Sequence, residues 1–128
     1  MHRHDDDDLR RASLFALSLP EATEEPHFDM SSFRVRGKIF ATLPPDRAHL
    51  HVFVDESEIN AAVAEDPAAF EPLQWGERVR GLRIHLGVCA AERVQELIEE
   101  SWRRKAPKRL VADFDHSRRG PRRDGSRP

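Results

Sequence analysis

The chain has 128 residues, of which 21 are Lys or Arg and 23 are Asp or Glu, so its formal charge is −2 at pH 7. This length suits one domain with one modest core. The hydrophobic fraction of 38% is enough for a folded chain, and no apolar run reaches the ~20 residues that a bilayer span needs. Composition therefore excludes repeat arrays, multidomain enzymes and membrane-spanning proteins, and we expect no membrane partner.

The single cysteine and the first residues bear on the compartment. Cys89 has no second cysteine with which to form an internal disulfide, so the chain fits a reducing environment. The N-terminal residues contain no apolar stretch of the kind that a secretory signal has. We therefore expect a cytoplasmic protein, and we favour a monomer.

Charge divides the chain into three parts. Residues 1–8 carry one Arg and four Asp, residues 9–115 carry 15 basic and 18 acidic residues, and residues 116–128 carry five Arg and one Asp. The sequence predicts a disordered acidic N-terminus over 1–8, a single domain over 9–115 and a disordered Arg-rich tail over 116–128. The domain itself is mildly acidic, whereas a protein that binds nucleic acid through phosphates normally has a basic surface.

The first predicted elements are a helix and a hairpin. Apolar spacing predicts a helix over residues 8–19, and residues 21–28 are acidic and predict an edge strand or an extended loop. β-branched and aromatic residues on both sides of Gly37 predict a hairpin of residues 32–36 and 38–43. Two loops remain open, Arg36-Gly37 or Gly37-Lys38, and they differ in which side chains face each other.

The next elements are a strand and a short helix. Residues 49–55 alternate, with Leu50 and Val52 on one face and His49, His51 and Phe53 on the other. Asp55 and Glu58 then resemble a capping box that opens a helix to about Glu65.

The last part of the domain contains a hairpin and two helices. We expect a short strand around Trp75 and a longer one over 79–86, followed by an amphipathic helix over 90–105 and a short helix over 108–114. Trp75 and Trp102 are both predicted to anchor the core. The fold class is therefore α+β: an antiparallel sheet with an N-terminal helix and C-terminal helices packed on one face.

Three local sequences resemble a known family. The run of residues 33–43, FRVRGKIFATL, is similar to the hairpin of the MmcQ/YjbR family. The acidic lead-in at 24–28 and the ending from Trp102 to Leu110, with its APKRL motif, also resemble that family. The resemblance covers about residues 9–114. It implies a CyaY-like, double-wing fold in a small bacterial cytoplasmic protein of a kind often described as DNA-binding.

Basic residues are the candidate nucleic-acid contacts, and they fall in three groups. Each group allows phosphate contacts, or base contacts from a ribbon, but each also fits an ordinary solvated surface. The candidates are Arg34, Arg36 and Lys38 at the first hairpin, Arg78, Arg80 and Arg83 on the last strand, and Arg103, Arg104, Lys105, Lys108 and Arg109 at the end of the chain's best helix.

Other chemistry has weaker signals. His49 and His51 lie at i and i+2 on one strand face, but no third ligand is evident, so we predict no metal site. Phosphate-binding loops, nucleophile elbows and paired cysteines are absent from the sequence, so we predict no catalytic residue and no cofactor.

The sequence thus favours a non-enzymatic binding domain. The leading ligand is DNA, held weakly through phosphates. The alternative is a protein-interaction or small-ligand module that uses the sheet face and the cleft beside Trp75.

Overall fold

The computed structural model describes residues 3–126, and the side chains of residues 7–118. Its elements are α1 (Arg3–Ser18), β1 (Ala22–His27), β2 (Met30–Val35), β3 (Lys38–Leu43), β4 (His49–Val52), α2 (Glu56–Glu65), β5 (Phe70–Trp75), β6 (Arg78–His85), α3 (Ala91–Lys105) and α4 (Lys108–Ser126). The α+β class is confirmed. No helix in this part of the chain is both long and apolar enough to cross a membrane.

The six strands form one antiparallel sheet in the order β1-β2-β3-β4-β6-β5. The centre of this sheet is narrow, because β3 and β4 pair only through Ala41 with Val52 and Thr42 with His51. The sheet therefore consists of two halves, β1-β2-β3 and β4-β6-β5, which meet along a short ladder.

The hairpin between β2 and β3 resolves the two loops left open by the sequence. Arg36 and Gly37 have φ angles of 52° and 82°, and Val35 pairs with Lys38. Two consecutive residues with positive φ form the type I′ turn, whose twist matches that of the flanking strands. The loop is therefore Arg36-Gly37.

One face of the sheet carries the core. α3 packs on β3 and β4, and α1 packs on α3 and β1. The stripe predicted for α3 is confirmed, since Val94, Leu97, Ile98 and Trp102 are all buried. Trp102 is fully buried and donates its Nε1–H to the Pro20 carbonyl oxygen at 3.2 Å.

The start of α2 differs from the predicted capping box. Asp55 is the N-cap residue, but its side chain makes no capping hydrogen bond. The carboxylate instead pairs with Arg104 of α3, at 3.2 Å between Oδ1 and Nε. Asp55 therefore forms an ion pair with a residue far away in sequence instead of the predicted capping hydrogen bond.

The N-terminal segment is helical where the sequence predicts disorder. α1 begins at Arg3, so residues 3–8 of the predicted acidic segment belong to the helix. Acidic residues are favourable in the first turns of a helix, because the exposed N–H groups there carry partial positive charge. Asp8 also pairs with Arg11, one turn later, at 3.5 Å.

The C-terminal segment differs in the same way. α4 continues through residues 116–126 of the predicted tail. The guanidinium of Arg118 lies 5.0 Å from the Phe114 ring centroid and 3.2 Å from Glu99, so the helix keeps contacts past residue 116. Residues 1–2 and 127–128 of the two predicted segments lie outside the described residues.

Candidate functional site

A cleft opens where β4 ends between two longer hairpins. Val52 is the last residue of β4 and pairs with Ala41 of β3 and with Leu82 of β6. Beyond this row, β3 continues for three residues and β6 for four, which is about 10–13 Å of strand. The two hairpins therefore project past the middle strand and leave a gap between them.

This inter-hairpin cleft has a volume of about 560 Å³. Most of the lining comes from the two hairpins, and the rest comes from the end of β1, from β4 and the residue after it, and from the end of α3. The lining residues are His27, Met30, Arg34, Gly37, Lys38, Ile39, Thr42, His51, Phe53, Leu73, Trp75 and Lys105. Among the described residues, none that lines the cleft is a carboxylate.

The floor of the cleft depends on a glycine. A Cβ at Gly81 of β6 would lie 2.6 Å from the Val52 carbonyl oxygen and 3.0 Å from the Phe53 ring. Only a residue without a side chain allows the chain after β4 to approach β6 so closely. The Phe53 ring thus lies directly against the backbone of β6, where it closes the bottom of the gap.

A serine of α3 joins the two halves of the sheet below the cleft. The Ser101 hydroxyl donates to the Phe40 carbonyl oxygen at 2.7 Å and accepts from the Phe53 N–H at 2.9 Å. These backbone groups lie just beyond the point where the β3–β4 ladder stops. Ser101 is fully buried, so its hydroxyl satisfies groups that water cannot reach.

The walls of the cleft are apolar and include an exposed tryptophan. Ile39 and Leu73 are partly buried, and Trp75 is 61% exposed. The Arg80 guanidinium lies 5.9 Å from the Trp75 ring centroid. The prediction that Trp75 anchors the core is therefore wrong. Trp75 is the last residue of the edge strand β5, and no helix covers it on the side that faces the cleft.

Three cations line the cleft, and they are not equally paired. Arg34 donates to the Ser32 hydroxyl at 3.0 Å and lies 3.8 Å from a carboxylate oxygen of Glu25. Lys38 and Lys105 form no ion pair within the described residues. Burial, together with the like charges of Arg104 and Lys38, lowers the pKa of Lys105 below its ordinary value.

A row of polar side chains crosses the sheet beside the cleft. It follows the register of the paired strands through Ser32, Thr42, His51, Arg83 and Glu71. His51 is the centre of this row and is only 7% exposed. Thr42, His51, Arg83 and Glu71 of this row form a network linked by hydrogen bonds and an ion pair, and Thr42 and His51 also line the cleft.

The hydrogen bonds fix the tautomer of His51. Nη1 of Arg83 lies 3.0 Å from Nε2, and a guanidinium can only donate, so Nε2 accepts. The ring proton therefore sits on Nδ1, which lies 3.3 Å from the Thr42 hydroxyl oxygen. Burial, reinforced by the positive charge of Arg83, lowers the pKa of His51 to about 4, so the ring is neutral at physiological pH.

The neighbouring His49 belongs to a different set of contacts. Its Nδ1 lies 2.9 Å from a carboxylate oxygen of Asp46, and its ring stacks on His85 at 5.1 Å. Arg83 reaches both His49 and His51 and thus holds a cation where a shared metal would sit. No group of three metal-ligating side chains occurs among the described residues.

The lone thiol is also accounted for. Cys89 is partly buried and packs against the core. Burial raises the pKa of Cys89 to about 11, so the thiol keeps its proton at neutral pH. A protonated thiol is a poor nucleophile and a poor metal ligand.

Five of the eleven predicted basic contacts are engaged with carboxylates. Arg36 makes a two-nitrogen contact with Glu21, and Arg103 binds both oxygens of Asp115, at 2.6 and 3.1 Å. The Asp115 contact raises the pKa of Arg103 above its ordinary value.

Three more of these arginines have acidic partners. Arg83 pairs with Asp46 and Glu71, Arg104 pairs with Asp55, and Arg34 has Glu25. Among the described residues, six candidates form no ion pair: Lys38, Lys105, Arg78, Arg80, Lys108 and Arg109. Of these six, only Lys38 and Lys105 line the cleft.

The structure therefore selects a site that the basic clusters alone do not show. It brings Arg34, Lys38 and Lys105 together with apolar residues, although Lys105 is far from the other two in sequence. Sequence reasoning missed Ile39, Phe53 and Leu73. One sequence signal for this site was available: the alternation of residues 49–55 places His49, His51 and Phe53 on the same face of the middle strand.

Comparisons with known proteins agree with this architecture. A narrow-centred antiparallel sheet, with helices on one face and a cleft between two hairpins, defines a small α+β domain. The family model described as YjbR matches residues 17–104, which is more than half of the chain. The chain therefore belongs to the YjbR family, as its hairpin motif predicts.

A solved structure shows the same fold. The crystal structure of Deinococcus radiodurans protein DR2400, with a DUF419 domain, superposes with a TM-score of 0.63 at 23% identity. The match covers 75% of this chain and 74% of that one. At this identity the likeness concerns the fold alone. No curated protein matches the chain.

Proposed function

We propose that this protein is a non-enzymatic binding domain whose ligand enters the inter-hairpin cleft. The observation that carries the proposal is the cleft itself, with a volume of about 560 Å³, apolar walls and a few polar groups. Small-molecule sites are typically concave, with volumes of about 300–1,000 Å³ and mainly apolar linings. The single cysteine supports a reducing, cytoplasmic location.

A thermal-shift screen with a filled-cleft variant tests this proposal. Ile39→Trp places an indole in the cleft, whereas Val88→Trp adds the same group at an exposed site outside it. A ligand of the cleft raises the melting temperature of the wild type and of Val88→Trp, but not that of Ile39→Trp. Ligands that stabilise all three proteins equally would place binding elsewhere and contradict the proposal.

DNA is the second candidate ligand. Its support comes from the six cations without carboxylate partners among the described residues, together with the description that the family resemblance implies. If all six contact phosphates, the slope of log affinity against log salt is about −5. A mobility-shift assay at two salt concentrations measures this slope.

Two matched variants sharpen the DNA test. Arg80→Ala removes a cation without a carboxylate partner and is expected to flatten the salt slope by about 0.9. Arg36→Ala removes an arginine that is already paired with Glu21, so the slope stays unchanged. A flat salt response in the wild type, or equal effects of the two variants, would count against phosphate binding.

A further inference from the structure

We propose that the ligand of the cleft is a small organic anion whose acidic group lies between Lys38 and Lys105. Its apolar body lies against the walls formed by Ile39, Leu73 and Trp75. The inference rests on the proposed function and names the class of ligand: an aryl or alkyl carboxylate, sulfonate or phosphate ester.

The charge of the lining supports an anion. Arg34, Lys38 and Lys105 line the cleft, and the described lining contains no carboxylate to balance them. Arg34 is partly neutralised by Glu25, so the uncompensated charge belongs to the two lysines. A partly buried cation such as Lys105 is stabilised by an anion that replaces its lost hydration, whereas the exposed Lys38 adds positive charge to the lining.

The surroundings of Lys105 point the same way. The side chain is partly buried at the end of α3, and the charges of Arg104 and Lys38, which lower its pKa, are both positive. Arg104 already has Asp55 as its partner. An acidic group between Lys105 and Lys38 would relieve the repulsion that the free protein retains.

The apolar walls exclude a purely inorganic anion as the best fit. Phosphate or sulfate alone would leave the Trp75 and Leu73 surfaces in water, and a neutral apolar ligand would leave both ammonium groups without a partner. A molecule with one acidic group and one apolar body satisfies both features. The 61% exposure of Trp75 leaves its ring accessible to such a body.

Two fluorescent probes test the inference. Anilinonaphthalene sulfonate carries an acidic group, and phenylnaphthylamine has the same aromatic body without it. We expect the sulfonate to bind the wild type about tenfold more tightly than the neutral probe. Energy transfer from Trp75, lost in Trp75→Phe, places the probe in the cleft rather than beside the buried Trp102.

Lysine variants assign the charge. The double variant Lys38→Met/Lys105→Met is expected to weaken sulfonate binding about tenfold and to leave phenylnaphthylamine binding unchanged. The matched control, Lys108→Met/Arg109→Met, removes two cations outside the cleft and leaves both affinities unchanged. If the double lysine variant does not fold, added salt gives the same readout in the wild type, where it weakens binding of the sulfonate alone.

The outcomes separate the inference from the proposed function. If phenylnaphthylamine binds in the cleft and the sulfonate binds no more tightly, the anion is wrong but the binding domain stands. Tighter sulfonate binding that the lysine variants leave intact also overturns the inference. If neither probe binds the folded protein, both proposals fail.

Discussion

The two faces of the sheet differ in what their polar and aromatic residues do. On the helix-covered face, Trp102 is fully buried and Ser101 joins strand to strand. On the open face, Trp75 is 61% exposed, and the cleft beside it contains Lys38 and Lys105, which have no carboxylate partner among the described residues.

In the His51 network on the open face, Thr42 and His51 are buried, whereas Arg83 is partly exposed and Glu71 is exposed. The comparison teaches that the residues expected to stabilise the fold are those of the covered face and the His51 network. The residues expected to bind a ligand are those that line the cleft.

The largest expected effect is on the covered face. Trp102→Ala removes a fully buried ring that packs on Phe114 at 5.1 Å and donates to the Pro20 carbonyl. We expect it to lower the free energy of unfolding by about 3–5 kcal/mol. Urea unfolding followed by circular dichroism measures the loss. A loss under about 1 kcal/mol would contradict the assignment of this ring to the core.

The junction between the two sheet halves gives the next effect. Ser101→Ala leaves the Phe40 carbonyl and the Phe53 N–H without their buried partner. We expect a loss of about 2–3 kcal/mol in the same unfolding measurement. Ser18→Ala is the control, because that exposed hydroxyl can be replaced by water. Equal effects of the two substitutions would show that the junction adds no stability.

The His51 network predicts a pH effect. Because burial lowers the pKa of His51 from 6.5 to about 4, the unfolded chain binds a proton between these values and the folded chain does not. The stability is therefore complete above pH ~6.5 and falls as the pH drops toward 4. At about pH 5, this single group costs about 2 kcal/mol.

A non-titrating variant isolates this contribution from the other histidines. His51→Gln keeps an acceptor for Arg83 but cannot be protonated in this range. Urea unfolding at neutral pH and at about pH 5 compares the two proteins. The wild type is expected to lose more stability than His51→Gln over this interval, and an equal loss would refute the assignment.

The smallest stability effect is expected in the wall of the cleft. Trp75→Ala removes a largely exposed ring and is expected to change the free energy of unfolding by less than about 0.5 kcal/mol. The same substitution should weaken binding of phenylnaphthylamine, which titration followed by probe fluorescence measures. Marked destabilisation without a change in probe binding would contradict this proposal, because Trp75 would then contribute to stability and not to ligand binding.

Local patterns predicted the elements and the faces of the middle strand. The alternation of Leu50 and Val52 with His49 and His51 is present as expected, and the stripe on α3 is buried. Periodicity reports on which face a side chain points to, so these predictions depend only on neighbours in sequence.

The rest depended on contacts between distant parts of the chain. Arg36 finds its carboxylate fifteen residues away, and Arg83 meets His51 across thirty-two residues. Strand register sets both contacts, and the sequence does not reveal it. The prediction for Trp75 was wrong for a related reason. Alternation shows which face of the strand Trp75 is on. It does not show that β4 ends at Val52, which leaves the cleft open beside Trp75.

The two edge strands, β1 and β5, limit the sheet to six strands because they pair poorly with any further strand. Pro26 interrupts β1, which also carries Glu24 and Glu25, and Pro72 interrupts β5. Proline has no backbone N–H, and within a sheet it stands where that missing donor would face outward. An approaching chain would therefore meet a broken row of donors on either side, and repelling carboxylates on one. The sheet resists edge-to-edge growth, so the hairpins beside the cleft can stay exposed without recruiting a seventh strand.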